Sequence, residues 1–136
     1  MKIDGGCHCG YITYEAEADP EKTTICLCHC TDCQHLSGSA FRTVVRVAGD
    51  TFKIIAGEPT IYVKTAESGA RRVQGFCPRC GTPIYSTAEG DEPKLYSIRV
   101  GTVRQRAALV PKVQIWSRSQ LHWVTDLGSV RSLDRQ

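Results

Sequence analysis

The chain has 136 residues, long enough for one domain to bury a core of its own, and 41% of them are hydrophobic against 23% charged, as in ordinary soluble globular proteins. No apolar run approaches the roughly 20 residues that span a bilayer, and Met1–Cys7 lacks the apolar stretch of a signal peptide, so no membrane partner is expected and the cytoplasm is the expected location. The formal charge of +3 is small and its basic residues are scattered without a run, so nucleic acid is not indicated as a partner.

The N-terminal segment carries Gly5-Gly6-Cys7-His8-Cys9-Gly10. Two sulfurs one residue apart can point at one metal ion if the intervening residue bulges outward, which the flanking glycines permit. A disulfide across a single residue would be badly strained. His8 is the bulged residue and is not expected to be a ligand. In a reducing compartment, clustered cysteines are metal ligands or redox thiols rather than disulfides.

The next cluster is Cys28-His29-Cys30-Thr31-Asp32-Cys33, three thiols within six residues. One or two helical turns are expected over Cys30 to Leu36, with Thr31 or Asp32 as the cap. A fourth ligand must come from outside the three thiols: Cys26, His29, Asp32, His35, a water or a substrate thiol. Cys26 would share a strand face with Cys28, although in Ile25-Cys26-Leu27 it also reads as a small buried hydrophobe. Ser37 and Ser39 in the following turn are hydrogen-bond donors near this cluster or, more simply, turn-forming residues.

Short strands dominate the rest of the chain. Phe41 to Val47, Phe52 to Ala56 and Thr60 to Val63 are rich in β-branched and aromatic residues, with Gly49-Asp50 and Gly57-Glu58-Pro59 as hairpin-like punctuation. Cys77-Pro78-Arg79-Cys80-Gly81 then has the spacing of a zinc knuckle, and Gly81 supplies a positive φ just after it. A redox C-x-x-C expects a helix directly after its first cysteine, whereas Thr82 to Tyr85 reads as a strand. Residues 89–93 form an exposed acidic loop, and Lys94 to Val100 alternates polar and apolar as a half-buried strand. Val110 to Trp116, demoted to an edge by Pro111, and Leu121 to Leu127 are the last predicted strands. His122 has no cluster and is expected to be structural. The expected architecture is a mainly-β single domain over 1–136, with its core in about 3–125, whose loops are pinned by metal.

Seven of the eight cysteines thus fall into three clusters. A closed structural zinc takes four protein ligands and an open one takes three. Cys7, Cys9, Cys77 and Cys80 make the set of four, and Cys28, Cys30 and Cys33 the set of three. Two zinc ions per chain are expected, and their seven thiolates would cancel the formal +3 charge.

With the motifs placed, the chain resembles the glutathione-dependent formaldehyde-activating enzyme family, whose domain also occurs in centromere protein V. Gly6-Cys7-His8-Cys9-Gly10 with Tyr14-Glu15 is similar to its opening motif. Cys28 to Cys33 running into Ser37-Gly38-Ser39-Ala40-Phe41 resembles its central motif, and Phe76 to Ile84 its third. The resemblance implies a β-tent fold with antiparallel strands around the same two zinc sites, the second reached by the thiol of glutathione. It also implies carbon–sulfur lyase chemistry like that of S-(hydroxymethyl)glutathione synthase, with a small aldehyde as the other partner. The alternative is a non-catalytic zinc-binding interaction module, and self-association into a homo-oligomer is left open. Glutathione carries two carboxylates, so Arg42, Arg46, Arg71, Arg72 and Arg99 are candidates to hold them.

Overall fold

A computed structural model describes residues 1–91 and 93–136; Glu92 of the expected acidic loop lies outside the described residues. In chain order the strands are β1 (Lys2–Gly6), β2 (Thr13–Glu17), β3 (Ile25–Cys28), β4 (Arg42–Ala48) and β5 (Lys53–Ala56). They continue as β6 (Thr60–Thr65), β7 (Arg71–Phe76), β8 (Pro83–Ala88), β9 (Leu95–Arg99) and β10 (Val113–Ile115). One helix, α1 (Thr31–Ser37), follows β3. No helix among the described residues is long and apolar enough to cross a membrane.

The strands form two sheets, β1-β2-β5 and β10-β3-β4-β9-β8-β7-β6. Among the described residues all strand pairings are antiparallel except that of β10 with β3, which is parallel. The larger sheet has two chemically distinct faces because side chains alternate along each strand. In β4, Val45 and Val47 point one way, in register with Ile25, Ile98 and Tyr96. That face packs on Ile3, Ile12, Tyr14 and Ala16 to make the main core. Each fully buried Val or Ile there contributes on the order of 2 kcal/mol. Arg42, Val44 and Arg46 point the other way, in register with Cys28, Cys26, Arg99 and Ser97. Alternation on one strand therefore sorts hydrocarbon to the core and cations and thiols to the opposite face.

The strands expected from β-branched runs are present within a residue or two, and Val113–Ile115 is an edge strand as Pro111 demanded. Two expectations fail. Gly49-Asp50 and Gly57-Glu58-Pro59 do not close hairpins: β5 leaves β4 to pair with β2 in the smaller sheet, and β6 returns to the larger one. Turn residues record a change of direction but not the partner strand. Leu121 to Leu127 is no strand either, since His122–Ser129 is 3₁₀ in character. Leu121 and Val124 are the half-buried residues, and their spacing of three is the 3₁₀ period rather than the strand period. His122, expected to be structural, is exposed.

Candidate metal centres and the adjoining cavity

The loop after β1 and the turn between β7 and β8 bring Cys7, Cys9, Cys77 and Cys80 together, with all four sulfurs within 4.8 Å of one another. Cys7 and Cys9 Sγ are 3.6 Å apart, and Cys9 and Cys77 Sγ 3.8 Å apart. A tetrahedron of thiolates about 2.3 Å from zinc has edges of about 3.8 Å, so the donor set fits that ion. Backbone N–H groups point at the sulfurs: Ile12 N–H donates to Cys7 Sγ at 3.2 Å, and Arg79 N–H to Cys77 Sγ at 3.4 Å. A hydrogen bond from Thr82, first through its hydroxyl, holds the Cys80 thiol down at about 5. Gly81 has φ +78°, as the turn requires.

Gly5 and Gly6 serve differently from expectation. They lie in β1, and a Cβ on Gly5 would stand 2.1 Å from the Thr102 carbonyl oxygen, one on Gly6 2.3 Å from that of Ile12. Their role is close backbone approach, not turn freedom. His8 is exposed, and its N–H donates to Thr82 Oγ1.

The second set forms where β3 ends and α1 begins. Cys28, Cys30 and Cys33 hold their sulfurs within 4.8 Å of one another. The helix cap is Cys30, not Thr31 or Asp32: its Sγ accepts the Cys33 N–H at 3.3 Å. A cysteine does the capping because its side chain turns inward to meet the other two. The neighbouring Cys33 thiol, by hydrogen bonding, draws Cys28 down to about 5, while Cys28 in turn pushes Cys33 up. Three sulfurs this close together form a donor set that fits a cation.

Cys26 is buried on the same strand face, but its sulfur, like the side chains of His29, Asp32 and His35, falls outside the compact set. Burial pushes the Cys26 thiol up, and the residue lines the cavity beside the three thiols rather than joining the hydrophobic core. His29 is fully buried, with Nε2 2.8 Å from Gln114 Oε1 and its ring edge-on to Phe41. His35 donates from Nδ1 to the Thr31 carbonyl at 2.9 Å. Ser37 and Ser39 make turn hydrogen bonds, with Ser39 N–H donating to Ser37 Oγ, and neither lines the cavity beside the three thiols.

Cys28, Cys30 and Cys33 open on that cavity, of about 770 Å³, which none of the four other clustered thiols lines. Arg42, Arg46, Arg72 and Lys64 stand in its wall. Of the other arginine candidates, Arg71 is exposed beside Glu89 at 3.7 Å. Arg99 is buried and donates to Gln74 Oε1 at 2.8 Å, and burial lowers its pKa to about 9. Trp116 was not foreseen at the site. It has a positive φ of 57° just after β10, rare for a bulky residue, and it lines the cavity with Arg118 stacked 4.9 Å above its ring. Gln74 was also missed, since a single glutamine in a strand carries no spacing signal.

No curated protein matches the chain. Among solved structures, the chain is similar to a Rhodobacter sphaeroides protein determined as a Northeast Structural Genomics target. The two share 17% identity over 82% of this chain and 98% of the other, with a TM-score of 0.59, a likeness of fold. The sequence itself matches the family described as glutathione-dependent formaldehyde-activating enzyme over residues 2–119. With both thiol sets on that stretch, the chain belongs to the glutathione-dependent formaldehyde-activating enzyme family.

Proposed function

We propose that residues 1–136 form a single zinc-dependent domain with carbon–sulfur lyase-type chemistry on a thiol–aldehyde adduct, similar to that of S-(hydroxymethyl)glutathione synthase, in the cytoplasm. Cys7, Cys9, Cys77 and Cys80 hold a structural zinc, and Cys28, Cys30 and Cys33 hold a second one with a position left open. The substrates are a small thiol such as glutathione and formaldehyde. One observation carries this reading: the set of three opens on a basic cavity, whereas the set of four does not touch it.

Zinc in the set of three supplies Lewis acidity that favours the thiolate form of an incoming thiol near neutral pH. The protein's own part is electrostatic and steric. Arg42, paired across the strands with Cys28, and Arg72 keep the cavity positive, which favours thiolate in the ground state and alkoxide as it develops. In the forward direction the sulfur forms a bond to the formaldehyde carbon. The carbonyl π pair moves to oxygen, and the proton lost by the thiol ends there. In reverse the carbon–sulfur bond breaks and thiol and aldehyde return.

NMR exchange between glutathione and its hydroxymethyl adduct in the presence of formaldehyde tests the reading. Acceleration by the protein that is lost in Cys30→Ser supports it. No acceleration by the zinc-loaded protein contradicts it and leaves a non-catalytic zinc module.

A further inference from the structure

Gln74 lies in β7 in register with Ser86 of β8, which is in register with Ser97 of β9, and that in turn with Arg46 of β4. All four line the cavity. Gln74 is only 6% exposed. Its Oε1 accepts from Arg99 Nη2 at 2.8 Å. A guanidinium can only donate, so the amide oxygen must face Arg99 and the NH₂ group must face away from it. That Nε2 is buried and has no hydrogen-bond partner among the described residues. Arg42 Nε, on the same cavity, is buried and unpartnered too.

The cavity is therefore rich in cationic and amide donors and poor in carboxylates. Glu67 is the one carboxylate among its described lining residues, and it lies 3.4 Å from Arg118. Arg72, two residues from Gln74 on the same strand face, forms no ion pair with a described carboxylate. Burial first, then the nearby charges of Arg42 and Arg46, lower its pKa. Like charges gathered around a hollow, beside a fixed and unmatched amide donor, call for an anion with several acceptor oxygens.

β7 is four strands from β3 in the sheet order, but the sheet curls, since Lys64 of β6 reaches Asp32 of α1. Gln74 and the three thiols thus line one hollow from different strands. We propose that Gln74 and Arg72 form a subsite for a carboxylate of the thiol substrate remote from its sulfur, with Arg99 as the positioning residue that orients the amide. This rests on the reading of the cavity as a thiol-substrate site, and it selects peptide-like thiols bearing a distant carboxylate over short neutral ones.

S-methylglutathione keeps both carboxylates but offers no thiol, so it probes the subsite apart from the zinc chemistry. Its affinity and that of its diethyl ester are measured by calorimetry for the zinc-loaded wild type, Gln74→Glu and Gln74→Met. The wild type is expected to prefer the acid over the ester by about tenfold, and Gln74→Glu to lose that preference by presenting a carboxylate where the donor was. Gln74→Glu should melt no lower than the wild type, because its carboxylate pairs with Arg99. Gln74→Met removes the donor without adding charge and should lower the preference severalfold. A merely structural glutamine would leave the acid-to-ester ratio unchanged. An equal ratio in all three proteins, or no binding of S-methylglutathione by the wild type, overturns the subsite. A wild type that fails to accelerate formaldehyde exchange, yet shows a Gln74-dependent acid preference, defeats the enzyme reading and keeps the subsite.

Discussion

Lys64 Nζ lies 2.9 Å from the Asp32 carboxylate, joining the outermost strand of the larger sheet to the helix that carries Cys33. β6 and β3 are five places apart in the strand order, so this contact exists only because the sheet curls until its ends approach. The hollow of that curl is the cavity beside the three thiols.

The Asp32 side chain is half exposed and Lys64 is largely covered, so the pair contributes no more than about 1 kcal/mol to stability. Asp32→Asn is expected to leave the melting temperature nearly unchanged. Its effect should appear instead as faster amide exchange in α1, which has lost its tie to β6. Unchanged exchange in α1 would mean that the helix is held by its other contacts alone.

The two thiol sets should respond differently to the loss of one ligand. Cys80→Ser breaks a set that ties the loop after β1 to the β7–β8 turn, and the proposed zinc there would supply folding energy. A loss of more than about 5 kcal/mol is expected, enough to unfold a domain of ordinary stability. Cys30→Ser removes a ligand but puts serine at the helix cap, where a serine hydroxyl is a favoured acceptor. Its loss should stay within about 2 kcal/mol while the second zinc is released. Thermal melts with metal analysis check both; equal collapse would contradict the division into structural and open sites.

Burial pushes the Tyr14 phenol up to about 12, while its hydroxyl lies 2.7 Å from Thr102 Oγ1. In the unfolded chain tyrosine ionises at about 10. Between those values the folded state holds a proton that the unfolded state has lost, so stability falls as pH rises. The contribution is complete below pH about 10 and is lost as pH rises through about 12. Tyr14→Phe should flatten this part of the profile, measured by urea unfolding at pH 9 and pH 11. A slope unchanged in Tyr14→Phe would place the titration elsewhere.

A Cβ on Gly75 would stand 2.4 Å from Cε1 of Tyr85, whose ring is backed by the mutually packed rings of Phe52 at 5.3 Å and Tyr96 at 5.2 Å. With the ring unable to retreat, Gly75→Ala should cost about 1–3 kcal/mol. Adding Tyr85→Leu should recover part of that loss, so the two changes will not be additive in denaturant melts.

The ligand sets were legible because their information is local. Thiols one and two residues apart share a turn wherever that turn is placed, and Cys7-x-Cys9 and Cys77-x-x-Cys80 meet as their spacing demands. Most strands were legible for the same reason: alternation in Lys94 to Val100 and β-branching around Val44 to Val47 act within a few residues. Strand partners were not. The pairing of β5 with β2 rather than with β4 joins segments distant in sequence, and Gly49-Asp50 says nothing about that choice. The curl bringing Lys64 to Asp32, and the register bringing Gln74 beside Ser86 and within reach of Arg99, are likewise properties of the assembled sheet. Cys26 stayed ambiguous in sequence because packing and ligation both favour a buried sulfur.

In the function proposed above, Cys28, Cys30 and Cys33 leave a zinc position open to a thiol, while Cys7, Cys9, Cys77 and Cys80 do not. X-ray absorption at the zinc edge, on protein with two zinc ions per chain, counts sulfur ligands with and without glutathione. An average of three and a half sulfurs per zinc is expected, rising to four when glutathione is added and unchanged by S-methylglutathione. An average of four before any thiol is added, or no rise with glutathione, would contradict it.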